Sequence, residues 1–275
     1  MCCVTPAAHN NKVVLSKKTM LKIFLIQSLV IFFYAVTWFF IAVAKNRNDV
    51  ADIAWGGGFV CAALTAYFAA GINEARAVLV LLLVVAWGAR LMLHIGIRNR
   101  GKPEDHRYRA WRKEWGSAYL VRSFLQVFLL QGFLLLVISL PVSLAISRSG
   151  PPLALLDGVG FCIWLLGFSF EAIGDFQLLQ FKKDPANKGR IMNIGLWRYT
   201  RHPNYFGEVT LWWGTFLICL SVPGSLWTVA GPLTITWLIL RVSGTPLLEK
   251  RYVDNPEYAE YIKRTSSFFP LPPKR

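Results

Sequence analysis

The densest run of chemically capable side chains is Gly195-Leu-Trp-Arg-Tyr-Thr-Arg-His-Pro-Asn-Tyr-Phe-Gly-Glu208. Arg198, Arg201 and His202 are cationic donors. Pro203 suits the first turn of a following helix, where its missing N–H is harmless. A helix N-terminus presents unbonded N–H groups and the positive end of the dipole, so it attracts anions. Basic residues joined to such a terminus fit a pyrophosphate or a 2′-phosphate. Trp197, Tyr199 and Tyr205 suit stacking on a ring and packing at a membrane interface equally well. A second run, Arg98-Asn-Arg-Gly-Lys-Pro-Glu-Asp-His-Arg-Tyr-Arg-Ala-Trp-Arg-Lys113, reads as a basic, aromatic loop that can touch lipid headgroups. A third, from Glu249 through Tyr252, Tyr258 and Tyr261 to Phe268-Phe-Pro270, is aromatic enough to fold. Its spacing predicts an amphipathic helix lying back over the cytoplasmic mouth.

Three more stripes lie inside apolar blocks, where an ionisable residue is costly and hence a functional candidate. Glu171, Asp175 and Lys182 share a helical face, as do Trp87, Arg90, His94 and Arg98, and Asn204, Glu208 and Trp212. Facing one another, they would build a partly wet pocket with acids paired to bases. Polar glue between helices is the alternative. Gly56-Gly-Gly58 looks like a phosphate loop, but it has no preceding strand and no following Lys-Ser/Thr, so close helix packing is the better reading. Cys2, Cys3, Cys61, Cys162 and Cys219 show no metal-ligand spacing and no disulfide pattern.

The elements that must position these residues are membrane helices. Of 275 residues 55% are hydrophobic and only 16% charged, against about a quarter in a soluble domain. The apolar residues form blocks of about 20, the length that crosses about 30 Å of hydrocarbon. The first block, near Ile23 to Ala44, has no small-residue cleavage site and is expected to stay as a helix. The blocks predict an all-α integral membrane protein of about seven spans: 22–44, 53–71, 77–97, 123–146, 154–180, 206–222 and 226–243. Residues 1–20 form a polar tail and 21–275 one multi-pass domain. Of 30 Lys and Arg residues, 23 fall in the first, third and fifth loops and the C-terminal tail. That bias puts the C-terminus in the cytoplasm and the N-terminus outside. It also accounts for the net charge of +15 without nucleic acid. In this orientation Arg90, His94, Glu171, Asp175, Asn204, Glu208 and Arg241 all lie in the inner half, and the outer half is nearly free of charge. The short chain, with no retention signal, points to a bacterial inner membrane.

Several motifs are similar to those of one family. Arg201-His-Pro-Asn-Tyr-Phe-Gly-Glu208, Trp212-Trp-Gly214, Ser243-Gly-Thr-Pro-Leu-Leu-Glu249 and Tyr258…Tyr261…Thr265-Ser266 resemble membrane proteins with a steroid 5-alpha-reductase C-terminal-like domain. Asp52-Ile-Ala-Trp-Gly-Gly-Gly-Phe59, Arg98 to Asp105 and Arg107-Tyr108 fit the same family. The resemblance covers roughly residues 20 to 273. It implies seven helices and a cofactor pocket capped by cytoplasmic loops and the C-terminal tail, with substrate-side helices over 21–150 and a cofactor half over 151–275. It also implies hydride transfer from NADPH to an activated C=C bond of a lipophilic, steroid-like, isoprenoid or lipid substrate drawn from the bilayer.

The cofactor positions carried over are Asp175, Asn204, Glu208 and Arg241, with Lys182 where the family tends to have an Arg. Glu171, Arg198, Arg201, His202, Tyr205 and Glu249 complete the expected cofactor site. The front half departs from the steroid enzymes: no Gln-Glu pair is present, and Asp52 with Trp55 occupies the comparable region. A donor must stabilise the developing enolate oxygen. His94 is the first candidate, since His donates near neutral pH, with Arg90 orienting it and Tyr108 as a second option. The Arg-His-Pro-x-Tyr-x-Gly pattern is also similar to isoprenylcysteine and phospholipid methyltransferases, which use S-adenosylmethionine. A non-enzymatic membrane scaffold is a third reading.

Overall fold

The computed structural model describes residues 17–148, 150–250, 252 and 254–274. Cys2 and Cys3 lie outside them. Three long helices come first: α1 (Lys17–Lys45), α2 (Val50–Ala70) and α3 (Ala75–Asn99). Gly71 ends α2 at φ +63°, the left-handed conformation that suits glycine, and its N–H bonds back to Tyr67. The Asp105 side chain caps α4 (His106–Trp115) by accepting from the Arg107 N–H. A short 3-10 turn leads into α5 (Tyr119–Arg122), a π-helical turn (Ser123–Leu129), α6 (Leu130–Ile138) and α7 (Leu140–Ser147). Next come α8 (Leu155–Lys183), α9 (Pro203–Leu220), α10 (Ala230–Trp237), α11 (Thr245–Lys250) and α12 (Pro256–Arg264). No strand occurs among the described residues, which hold one isolated bridge between Thr200 and Ser266.

Among the described residues five helices are long and apolar enough to cross a membrane: Lys18–Lys45, Val50–Ala70, Ala75–Asn99, His106–Ile138 and Leu155–Lys183. The sixth expected span coincides with the 18 residues of α9, and the seventh with a shorter apolar helix, Leu226–Val242. The fold is that of an integral membrane protein, with large apolar side chains such as Leu25, Phe33, Phe40, Phe68 and Leu93 pointing outward. The fourth block begins earlier than its hydropathy indicates. Much of the expected 98–113 loop is helical, because α4 is amphipathic: Tyr108 and Trp115 are buried while Arg109 and Lys113 face out.

What fixes the distance between helices is glycine. On α8, Gly160, Gly167 and Gly174 recur every seven residues, and on α9 Gly207 and Gly214 do the same. A Cβ at Gly167 would lie 2.6 Å from the Gly207 carbonyl oxygen, and one at Gly214 would lie 2.7 Å from that of Gly160. The two backbones therefore touch, as small residues allow in hydrocarbon. Gly56 of α2 and Gly88 of α3 meet the same way, at 2.5 and 2.6 Å. This agrees with the packing reading of the Gly56–Gly58 run.

Two ion-pair rungs join α3 to α8. Arg76 meets Asp157 at 2.7 Å, and both side chains are buried. Fourteen residues further along each helix, Arg90 meets Glu171. Equal spacing on both helices means that they run parallel, with the rungs about 21 Å apart. The expectation that one half of the bundle is nearly free of charge is thus corrected. The Arg76–Asp157 pair occupies that end, satisfied by two charge-assisted bonds and by the Pro151 and Pro152 carbonyls.

Gly167→Val should force α8 from α9 and lower stability by roughly 1–3 kcal/mol or more. Gly158→Ala, where nothing lies within 4 Å, should stay within about 1 kcal/mol of the parent. Thermal melts in mild detergent read both, and equal behaviour of the two variants would remove the glycine seam from the account.

Candidate active site

The glycine seam brings the polar faces of α8 and α9 against α3. Arg90 reaches across from α3, its Nη1 donating to Asp175 Oδ2 at 2.7 Å and its Nη2 to Glu171 Oε1. Trp87, one turn earlier, donates its indole N–H to Glu171 Oε2 at 2.8 Å. From α9, Asn204 Nδ2 donates to Asp175 Oδ1 at 3.1 Å. His94 Nε2 lies 3.7 Å from Asp175 Oδ2, at the rim of the cluster. Glu208, one turn beyond Asn204, is within electrostatic reach of Arg90, Asp175 and Glu171, with the Trp55 indole beside it.

Three carboxylates therefore face one guanidinium in the helix bundle. Arg90 offsets one unit of charge and leaves a surplus. At this depth a surplus carboxylate needs a proton or a cationic ligand. The polar inventory is incomplete in the same place. Arg90 Nε, Asn204 Oδ1 and Trp212 Nε1 are buried without a hydrogen-bond partner. Buried groups of this kind are normally hydrogen-bonded, so these three stand out.

Below the carboxylates lies an aromatic wall. Phe59 packs on Trp87, Trp212 and Trp55 with centroids 5.3, 4.8 and 5.1 Å away. Phe168 lies under the Arg90 guanidinium at 5.8 Å.

A second cluster holds the Arg201–His202 turn. Glu249 Oε1 accepts from Arg201 Nε at 3.0 Å and Nη2 at 2.7 Å, with His202 Nε2 at 3.1 Å. Arg201 Nη1 also donates to the Thr265 carbonyl at 2.7 Å. The tail folds as expected, into the amphipathic helix α12. It docks on the 195–202 turn rather than on the Arg90 cluster: Tyr258 and Tyr261 are buried, and the Tyr261 hydroxyl donates to the Trp197 carbonyl. Tyr205 stacks on His202 at 5.5 Å and 19°. It is also in electrostatic reach of Glu208, so it stands between the two clusters.

Tyr108 belongs to a third group. Its hydroxyl donates to Asp52 Oδ1 at 2.6 Å, and Arg107 Nη2 donates to Asp52 Oδ2 at 2.9 Å. The candidates from sequence thus divide. Arg90, His94, Glu171, Asp175, Asn204 and Glu208 come together, and Arg201, His202 and Glu249 form their own clamp. Tyr108 is held by Asp52. Lys182, Arg198 and Arg241 are exposed, and neither of the two arginines makes an ion pair among the described residues. No group of three or more His, Cys, Asp or Glu is arranged to hold a metal among the described residues.

Sequence reasoning missed Asp157 as the partner of Arg76. The signal was present: the Asp157–Glu171 spacing repeats that of Arg76–Arg90.

A parallel-braced helical membrane protein with a buried acid–arginine cluster is the class that this geometry defines. The chain belongs to the family described as a protein of unknown function (DUF1295), which matches residues 38–265. An uncharacterised protein of the fission yeast Schizosaccharomyces pombe is 25% identical over 234 residues, covering 74% of this chain and 67% of its own. No solved structure matches.

Partial burial pushes the Glu249 carboxyl up, but the His202 and Arg201 donors outweigh this and hold it at about 2, below the ordinary 4.5. A depressed carboxyl stabilises the fold above the ordinary value and stops doing so as pH falls toward the lower one. Hydrogen-exchange protection of residues 256–271 should therefore be full at pH 7 and fall between about pH 4.5 and 2. Glu249→Gln should show the loss already at pH 7. Unchanged protection in that variant would mean that the tail is held without the clamp.

Proposed function

We propose that this protein is a membrane reductase that uses NADPH to saturate an activated C=C bond of a lipophilic substrate from the bilayer. The observation that carries the reading is the cluster of three carboxylates facing one arginine, with unpartnered polar atoms beside it. NADPH supplies a hydride when bound, and its ring becomes cationic on giving it up. Surplus carboxylate charge is complementary to that change, in the sense that catalytic sites are polarised toward the charge that develops. The unpartnered Asn204 Oδ1 fits a carboxamide N–H. The exposed Arg198 and Arg241 fit phosphates, with Lys182 close along the same helix as Asp175. The resemblance to steroid 5-alpha-reductase-like proteins points to the same positions.

In this reading the chain contributes orientation and charge. Arg90 holds Asp175 and Glu171 in place, and Asp175 in turn fixes the Asn204 amide. The aromatic wall keeps water from the reacting face. His94 Nε2 holds the proton delivered to the substrate, with Asp175 beside it to stabilise the charged imidazole. Tyr108, fixed by Asp52, is the second donor candidate. Seven crossings, with the basic loops and the C-terminus in the cytoplasm of a bacterial inner membrane, would put the cluster where reduced nucleotide is available.

The same surplus charge also favours a second reading. A sulfonium is cationic, so a methyltransferase binding S-adenosylmethionine would find complementary charge here. Titration of purified protein separates the two. NADPH fluorescence should shift on binding, and Asn204→Ala should weaken that binding about tenfold. S-adenosylmethionine should not compete. Saturable S-adenosylmethionine binding with none of NADPH or NADH up to about 1 mM would replace the reductase with the methyltransferase. Binding of neither would leave a scaffold.

A further inference from the structure

A cavity of about 240 Å³ lies away from both clusters, between the C-terminal end of α1 and the α4–α5 corner. It is lined by apolar Phe39, Ala42, Val43 and Leu120, and by polar Asn46, Asn48, Arg112, Tyr119 and Ser123. The polar half is pre-wired. Asn48 Nδ2 donates to Ser123 Oγ at 2.7 Å, and Arg112 Nη1 to Asn46 Oδ1 at 2.7 Å. The Arg112 guanidinium lies 4.2 Å over the Tyr119 ring. Among the described residues, no acceptor is bonded to Asn46 Nδ2. The cavity wall includes a helix end and a π-helical turn. Asn46 closes α1 in the left-handed conformation, φ +51°, with the Arg47 N–H bonded back to the Ala42 carbonyl at 3.0 Å, a cap that asparagine accepts. Ser123 opens the π-helical turn, a feature that recurs at functional sites.

The surroundings fall into three zones. Phe40, Val43, Leu120, Val121 and Leu125 are exposed apolar side chains around the cavity. Amides and hydroxyls lie within it. Lys45, Arg109, Lys113 and Arg122 are exposed on the same segments. Apolar, hydrogen-bonding and cationic side chains gathered on these segments match the acyl chains, the ester–glycerol region and the phosphate of one kind of molecule.

We propose that this cavity is a binding site for a single anionic glycerophospholipid. The ester and glycerol oxygens take the Asn46 and Tyr119 donors. The acyl chains lie against Val43 and Leu120, and the headgroup faces the basic rim. A basic pocket beside membrane helices recognises an anionic headgroup through charge. The site does not depend on the reductase reading. It would pin the α4–α5 corner to the bilayer and so steady Asn48 and Glu104, whose side chains tie that corner to α2: Glu104 accepts from the Asn48 N–H at 2.6 Å.

The test is native mass spectrometry of the full chain released from detergent micelles, titrated with phosphatidylglycerol or phosphatidylcholine. One phosphatidylglycerol should be retained per chain, at about tenfold lower lipid concentration than phosphatidylcholine. Leu120→Trp, which fills the apolar half, should abolish the single adduct. Because that variant can also disturb folding, the exposed rim pair Lys113→Glu/Arg122→Glu is measured beside it. It should leave the melting temperature unchanged while erasing the preference for phosphatidylglycerol. Equal retention of the two lipids by the parent protein, or an unaltered preference in the rim variant, overturns the proposal. So does an intact adduct in a folded Leu120→Trp.

Discussion

Everything in the cluster depends on two helix backbones touching. Lipid tails are as apolar as leucine, so membrane helices gain little from burying apolar side chains against each other, and close approach has to come from small residues. Gly160 and Gly167 on α8 and Gly207 and Gly214 on α9 remove the side chains that would hold the helices apart. Only then can short polar groups such as Asp175 and Asn204 meet directly, at 3.1 Å. Glu171 follows Gly167 by one turn and Glu208 follows Gly207 by one residue, so the residues that permit contact also set the depth of the charges.

The two rungs between α3 and α8 complement this seam. Burying an ion pair costs desolvation, and it is tolerated only when the remaining donors and acceptors are satisfied. The Arg76–Asp157 rung meets that condition, with its spare donors taken by proline carbonyls. The Arg90 rung does not. It faces two carboxylates more than it can offset and leaves Arg90 Nε without a partner. The two rungs thus use similar residues differently, one with its spare donors satisfied and the other with Arg90 Nε unpartnered.

Much of this was legible in the sequence, and the reasons differ by residue. Among the described residues, apolar block length located four of the five long helices and the second half of the fifth, which starts at His106 rather than at 123, because hydrocarbon thickness dictates it. Helical spacing placed Arg90 and His94 on one face and Glu171 and Asp175 on another. It could not say which faces would meet, since partner choice follows from glycine-controlled packing between distant segments. Asp157 was overlooked because it sits at a helix start, where an acid looks like an ordinary first-turn residue. Arg201, His202 and Glu249 were recognised as important, but the sequence carries no sign that Glu249 would occupy the donors of the Arg201–His202 turn. The Asp52–Tyr108 bond was missed because α4 hid in a charged stretch that reads as a loop.

On the proposed reading, the carboxylates that Arg90 does not offset are matched to the positive charge that a nicotinamide ring gains. The most direct test compares the affinities for NADP⁺ and NADPH in the parent protein and in Glu208→Gln. The substitution should weaken NADP⁺ more than NADPH, lowering the ratio of the two affinities several-fold, because about 1.4 kcal/mol of charge complementarity is a factor of ten. An equal loss for both forms, or none, would contradict it.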